Sequence, residues 1–308
     1  MLVLSCDGKG IVMRADALRA ATAKAAADST TKLGARLSKG EKRNRKRMAT
    51  VAAVYDLTPV PRTPADVLPD AAGDPIPAPT AKSKWLTASV LDDAATVVTK
   101  MFDEADRRDP DHARAWVALV DGNNHQIDRI NAEARKRGVT VTVVVDFVHV
   151  LEYLWRAAWS FFDEGDPAAE AWVRDKAREV LAGHATRVAA AIRRKATYHR
   201  LAPARRVNAD AAATYLVNKA PYLYYQGALA KGWPIATGVI EGACRHLVKD
   251  RMDITGARWS LNGAEAVLQL RAVHSNGDFD NYWRYHLAQE QRRNHQQRYA
   301  DNLIPQAA

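Results

Sequence analysis

The sequence predicts an α/β fold: a mixed sheet flanked by helices, with an all-helical insertion ahead of the last helix of the core. Three observations carry this reading. Residues 114–155 run strand, turn, helix, strand, helix, the alternation that builds parallel strand pairs. The first 57 residues offer three short apolar runs, Leu2–Cys6, Ile11–Met13 and Met48–Leu57. Residues 155–229, by contrast, are rich in alanine, arginine and aromatic residues and carry no strand signal.

The elements follow in order. Leu2–Cys6 and Ile11–Met13 flank Asp7-Gly8-Lys9-Gly10, which reads as a hairpin turned by its glycines. Asp7 is then either a turn residue or a functional carboxylate at the end of a strand. Residues 14–31 are alanine-rich and read as helix or coil. A dense basic run follows, with Lys39, Lys42, Arg43, Arg45, Lys46 and Arg47, before the third strand at Met48–Leu57. Residues 58–80 hold seven of the prolines and read as an irregular linker over the surface. Residues 90–107 form an amphipathic helix. Ala115–Val120 is an apolar strand stopped by Asp121-Gly122, and Ile127, Ile130 and Ala134 recur at helical spacing until Gly138. Val139–Val145 is almost wholly valine and threonine, the composition of a buried parallel strand, and it ends on Asp146.

Three to five helices are expected over residues 155–229, with Trp155, Trp159, Phe161, Phe162 and Trp172 as their core. An exposed side would carry Arg187, Arg193, Arg194, Lys195, Arg200, Arg205 and Arg206. A helix starts at Thr237 or Gly238 with Glu241 in its first turn, and Glu241, Arg245 and Lys249 share a face, with His246 nearby. Residues 261–273 form a last core helix, and the polar, aromatic and basic residues beyond Ser275 form an extension. The organisation is therefore the sheet portion of a core over 1–150, a helical insertion over 151–233, the rest of the core with the Glu241 helix over 234–274, and the extension over 275–308.

Composition narrows the function. The chain has 308 residues and a net charge of +10, which favours a polyanionic partner. Two cysteines, Cys6 and Cys244, exclude a four-cysteine zinc site and a disulfide scaffold. No apolar run reaches the roughly 20 residues that a membrane helix needs, and residues 1–4 are too short for a signal peptide. A cytoplasmic protein is expected. No glycine-rich phosphate loop follows any strand.

Asp121 and Asp146 both end neighbouring strands, at the carboxyl edge where α/β sites lie. Either one alone is explained as a helix cap. Asp7 ends the first strand, and Glu241 lies on a late helix. Converging carboxylates need cations to stay ionised together, and oxygen ligands without thiolates select Mg²⁺ or Mn²⁺.

Several segments together resemble the DDE transposases of bacterial insertion sequences of the ISKra group, Mutator-like relatives with an RNase H-like fold. These are Asp7-Gly8-Lys9-Gly10, the KGEKRNRKRMATVAAVYDLTPVPRTP run from Lys39, Val120-Asp-Gly-Asn123, Asp146-Phe-Val-His149, and GVIEGACRHLVKDRMDITGARW from Gly238. They are spread over nearly the whole chain. The resemblance implies Asp7, Asp121 and Glu241 as the catalytic and metal-binding triad, holding two Mg²⁺ or Mn²⁺ ions. It implies Asp146 and His149 as an accessory Asp-x-x-His pair. Asp146 competes with Asp121 for the second ligand position, and the family pattern favours Asp121. His149 reads equally as a satisfied core histidine, and Cys6 and Cys244 as buried small thiols near the site.

The implied activity is metal-dependent cleavage and transfer of DNA strands, with a homo-oligomer assembled on transposon ends and target in the bacterial nucleoid. Lys9, Lys39, Lys42, Arg43, Arg45, Lys46, Arg47, Arg245, Lys249 and Arg258 are the expected DNA contacts. Such transposases begin with an N-terminal DNA-binding region, whereas this chain begins at its first strand, so a truncated reading frame or a fragment is expected. The alternative is an inactive remnant that only binds DNA or a partner protein.

Overall fold

A computed structural model describes residues 1–28, 45–69, 76–254 and 256–296. Lys39, Lys42 and Arg43 of the basic run lie outside the described residues. The sheet has five strands in the order β3-β2-β1-β4-β5, built from β1 (Leu2–Val12), β2 (Lys46–Leu57), β3 (Ala81–Ser89), β4 (Trp116–Val120) and β5 (Val141–Val145). The β3-β2-β1 half is antiparallel and the β1-β4-β5 half is parallel.

Two expectations are corrected here. The glycines at 8 and 10 make no hairpin: β1 is one strand of 11 residues, paired with β2 along its whole length. Glycine serves close approach instead, since a Cβ on Gly10 would come within 2.9 Å of the Lys46 stem and one on Gly8 within 3.1 Å of Met48. The third antiparallel strand is Ala81–Ser89, between the proline segment and the helix α3 (Ala94–Arg108). Its first residues are mostly exposed, so it lacks the apolar run that marks a buried strand. Helix α12 (Leu261–Ser275) and its cap cover this edge. Gln269 donates to the Ala88 carbonyl, and Asn276 exchanges two hydrogen bonds with the Leu86 backbone.

Helix α4 (Asn124–Arg137) ends on Gly138 in the left-handed conformation, and α5 (Phe147–Ala158) follows β5 directly. Arg137 ties α4 to α3 through Asp103 and Asp106 and pairs with Glu133 on its own helix, and these carboxylates hold its guanidinium in the charged form. The helical block is α6 (Pro167–Leu181), α7 (Ala185–Tyr198), α8 (Pro203–Lys219) and α9 (Tyr225–Ala230). One hydrophobic cluster runs from the sheet into this block. Trp155, Phe161, Phe162 and Trp172 pack against it as expected, but Trp159 is 41% exposed and stacks on Trp155. Lys195 is not on the open face either: its ammonium lies over the rings of Phe161, Phe162 and Trp172.

The proline segment is more than a surface linker. Val60 donates to the Gly232 carbonyl, and Arg62, itself buried, bonds the carbonyls of Leu229 and Trp233. Gly232 has a φ of +72°, and a Cβ there would meet Val60 N at 2.4 Å. Gly232→Ala is therefore expected to lose about 1–3 kcal/mol from backbone strain, plus the clash, in urea unfolding. Unchanged stability would show that the two segments do not dock as described.

Candidate active site

In the parallel half of the sheet, Leu2 lies beside Trp116, Val3 beside Val117 and Leu4 beside Ala118. Trp116 in turn lies beside Val141, and Val120 beside Val145. Carried on by the same offsets, Asp7, Asp121 and Asp146 come level in one row across the carboxyl edge. Hydrogen bonds agree with this register: Ser5 Oγ donates to the Leu119 carbonyl at 2.6 Å, and Asp146 N donates to the Val120 carbonyl at 2.8 Å.

The three members of the row differ in environment. Asp7 is half-buried; its Oδ1 accepts from Gly8 N, and the Cys244 thiol donates to its Oδ2 at 3.5 Å. Asp121 is half-buried, and its Oδ1 accepts from Asn123 N at 2.8 Å. Cys6, next to Asp7 on β1, is buried, and burial first, then the charges of Asp121 and Asp7, push its thiol up to about 12. Burial and Asp7 likewise push the Cys244 thiol upward. Both thiols are protonated at neutral pH, which leaves the carboxylates as the hard donors here.

Asp146 is only 1% exposed, and both of its oxygens are engaged. Oδ1 caps α5 by accepting from Val148 N at 3.0 Å, and Oδ2 accepts from the Thr237 hydroxyl at 2.6 Å. Burial raises its carboxyl above the usual range, with Glu241 adding to the rise against the Thr237 and Val148 bonds. The same Thr237 hydroxyl lies 3.2 Å from Glu241 Oε1. A hydroxyl has one proton, so the two carboxylates share it, and the shorter contact is the one to Asp146. Thr237 thereby joins the buried end of β5 to the exposed Glu241 on α10 (Gly238–Ala243). His149 is half-buried on the first turn of α5.

The helical block reaches this edge. The Tyr215 hydroxyl from α8 lies 3.5 Å from the Asp121 carbonyl, and its ring stacks on Tyr153 of α5 at 3.9 Å. Gly122, at a φ of +92°, leaves room for it: a Cβ would meet the Tyr215 oxygen at 3.0 Å. Tyr225 donates to the Val145 carbonyl at 2.8 Å, and Phe147 N to Ile235. Thr237, Tyr215 and Cys244 took no part in the expected site chemistry. No periodicity marks a tyrosine or a threonine that will meet a strand end nearly a hundred residues away.

Beyond α10 the chain continues as a π-helix, Cys244–Lys249, and then α11 (Asp250–Met252). The wider turn breaks the expected alignment of Glu241, Arg245 and Lys249. Arg245 meets Asp250 at 3.6 Å instead, and the His246 carbonyl is capped by Arg271. Lys9 is half-buried two residues past Asp7, Lys46 and Lys249 are exposed, and Arg47 donates to the Val90 carbonyl. Arg205 and Arg206 pair with Asp163 and Asp210, and Arg187 with Glu179, so part of the basic face of the block is locally compensated.

The donor chemistry fits a hard divalent cation. Among the described residues, however, no three His, Cys, Asp or Glu side chains are gathered into a group that could hold one. Asp7 and Asp121 sit level at the carboxyl edge, while Glu241 is turned to Thr237.

Asp146 also sets a pH dependence. Its folded value lies above its unfolded value of about 3.9, so in that window the native state holds a proton that the unfolded chain has released. The stability from this group is full below the unfolded value and is lost as pH rises through the folded one. Asp146→Asn keeps the cap and the Thr237 contact without titrating. Wild-type stability minus that of the variant should fall from pH 4 to pH 8 in urea unfolding, and a flat difference would refute the buried acid. Asp146→Ala should cost about 1–3 kcal/mol for the missing cap and unpaired hydroxyl. No family model matches the chain, and neither does any curated protein or solved structure, so its function is read from this site.

Proposed function

We propose that the chain is the catalytic core of a metal-dependent DNA strand-transfer enzyme, a DDE-type transposase with an RNase H-like sheet. The row that brings Asp7 and Asp121 level, with Glu241 delivered to the same edge by α10, is the observation that carries this reading. A five-stranded mixed sheet in the order β3-β2-β1-β4-β5, with a helical block ahead of the Glu241 helix, is compatible with it.

Asp7, Asp121 and Glu241 would hold Mg²⁺ or Mn²⁺. Such ions supply, when bound, stabilisation of the attacking and leaving oxygens in phosphodiester displacement. Asp121 suits the second position better than Asp146, because Asp146 is buried with both oxygens committed. Asp146 instead orients Glu241 through Thr237. Glu241 is exposed and is the side chain that must leave Thr237 to join the two aspartates. The net charge of +10 draws the DNA, and phosphate contacts position it without reading its sequence. A second reading, a remnant that binds nucleic acid without cutting it, rests on the ungathered trio.

The two readings part on a supercoiled plasmid. The enzyme reading expects nicking or strand transfer with Mg²⁺ or Mn²⁺ that falls to background in Asp7→Asn and in Glu241→Gln. Binding should be kept or slightly strengthened, since a negative charge facing phosphate is gone. Affinity should drop steeply between about 50 and 200 mM salt. Salt-sensitive binding without nicking under excess Mn²⁺ favours the remnant, and binding indifferent to salt refutes a nucleic-acid role.

A further inference from the structure

Beyond the carboxylate row, β1 runs on past the end of β4 and brings three chain segments together at its far end. Met13 N donates to the Arg45 carbonyl at 2.9 Å, Arg14 N to the Trp259 carbonyl at 2.8 Å, and Trp259 N to the Val12 carbonyl at 3.1 Å. Met13 and Trp259 form an isolated parallel bridge. These backbone bonds fix the exit of β1, the entry to β2 and the segment before α12 against one another. Each segment contributes one arginine, Arg14, Arg45 and Arg258, and the three line a single open cleft of about 590 Å³.

The charge there is not balanced. Among the described residues Asp16 is the one acid lining the cleft, its contact with Arg14 is long at 3.7 Å, and both side chains are more than half exposed, so the pair contributes little. Among the described residues neither Arg45 nor Arg258 has an ion pair with a carboxylate. Arg47, two residues on, is held below the usual guanidinium range by burial and by the charge of Arg19, so the surroundings are basic as well. Three permanently charged planar forks, held by backbone and facing one cavity, repel one another until an anion enters. A phosphodiester matches that demand, with two free oxygens for guanidinium forks and a sugar to fill the cleft.

We propose that the Arg14–Arg45–Arg258 cleft is a second nucleic-acid site that seats a backbone phosphate about 20 Å along β1 from Asp7. It rests on the nucleic-acid reading above, and it divides the labour of the sheet: the carboxylate edge receives the reacting phosphate and the cleft holds the same molecule at a distance. Arg45 and Arg258 are each expected DNA contacts, but they stand far apart in sequence, and it is their meeting with Arg14 in one clamp that the sequence does not predict.

The test is fluorescence-anisotropy binding of a labelled 30-base-pair duplex over a salt series, in EDTA so that metal chemistry plays no part. The full chain is compared with Arg14→Gln, Arg258→Gln, the triple Arg14→Gln/Arg45→Gln/Arg258→Gln, and a control triple of exposed cations elsewhere, Lys82→Gln/Arg135→Gln/Lys136→Gln. The triple cleft variant should bind about tenfold or more weakly, and its log K against log salt slope should shrink by about one for each phosphate that is no longer neutralised. The single variants should fall in between with melting temperatures unchanged, so a folding defect in the triple is told apart from a binding defect. An equal weakening in the control triple, or none in the cleft variants, would overturn the clamp and leave the nucleic-acid reading standing. No duplex binding by the wild-type chain would overturn that reading together with the clamp.

Discussion

Everything at the candidate site depends on the register of three parallel strands. β1 pairs with β4 over only three residues, Leu2 to Leu4, and β4 pairs with β5 over five. Those few pairs level Asp7 with Asp121 and Asp121 with Asp146. A slip of one residue would turn each side chain to the other face of the sheet, and the row would dissolve. The register is held from both sides: β2 grips β1 along its full length, and the Ser5 hydroxyl is anchored on the Leu119 carbonyl. β1 extends past β4, which leaves Asp7 at the edge while its strand is still paired on one side.

The second constraint is the shortage of protons around buried oxygens. Asp146, Thr237 and Glu241 offer many acceptors and few donors, and burial of Asp146 favours its neutral form. The Thr237 hydroxyl, shared between Asp146 and Glu241, holds Glu241 relative to the sheet. In this way a residue whose first duty is to cap α5 also sets the position of an exposed carboxylate on α10. The helical block contributes in the same manner. Tyr215 and Tyr225 place hydroxyls on backbone carbonyls at the ends of β4 and β5, so α8 and α9 are tied to the floor of the site.

The positive charge of the chain divides into two kinds. Arg108, Arg114 and Arg137 are committed to the fold, bonding Asp56, Glu104 and the acidic face of α3, where they pin helices to the sheet. The arginines at the exit of β1 have, among the described residues, only the long Asp16 contact, and their charge faces solvent in a cleft. The difference lies in packing. Guanidinium groups between elements are satisfied by carboxylates, whereas the crossing of three backbones offers its arginines, among the described residues, one exposed acid.

Where the chain's own local pattern decides, the sequence is legible. The valine-rich β5, the Gly138 stop of α4, the Asp146 cap and the helix at Gly238 follow from composition, period and end signals that act over a few residues. Asp7, Asp121, Asp146 and Glu241 could be singled out because each closes or opens such an element. The glycines of β1 misled, because glycine marks a turn and a close crossing equally well, and only the Lys46 and Met48 side chains overhead decide between them. β3 was hidden for a related reason: an edge strand shielded by α12 has no need of an apolar run. Pairing partners, the row of aspartates, the Thr237 bridge and the meeting of Arg14 with Arg258 belong to the tertiary structure alone. Each depends on hydrogen bonds between residues far apart in the chain, and local periodicity states that a segment must pair or pack without stating with what.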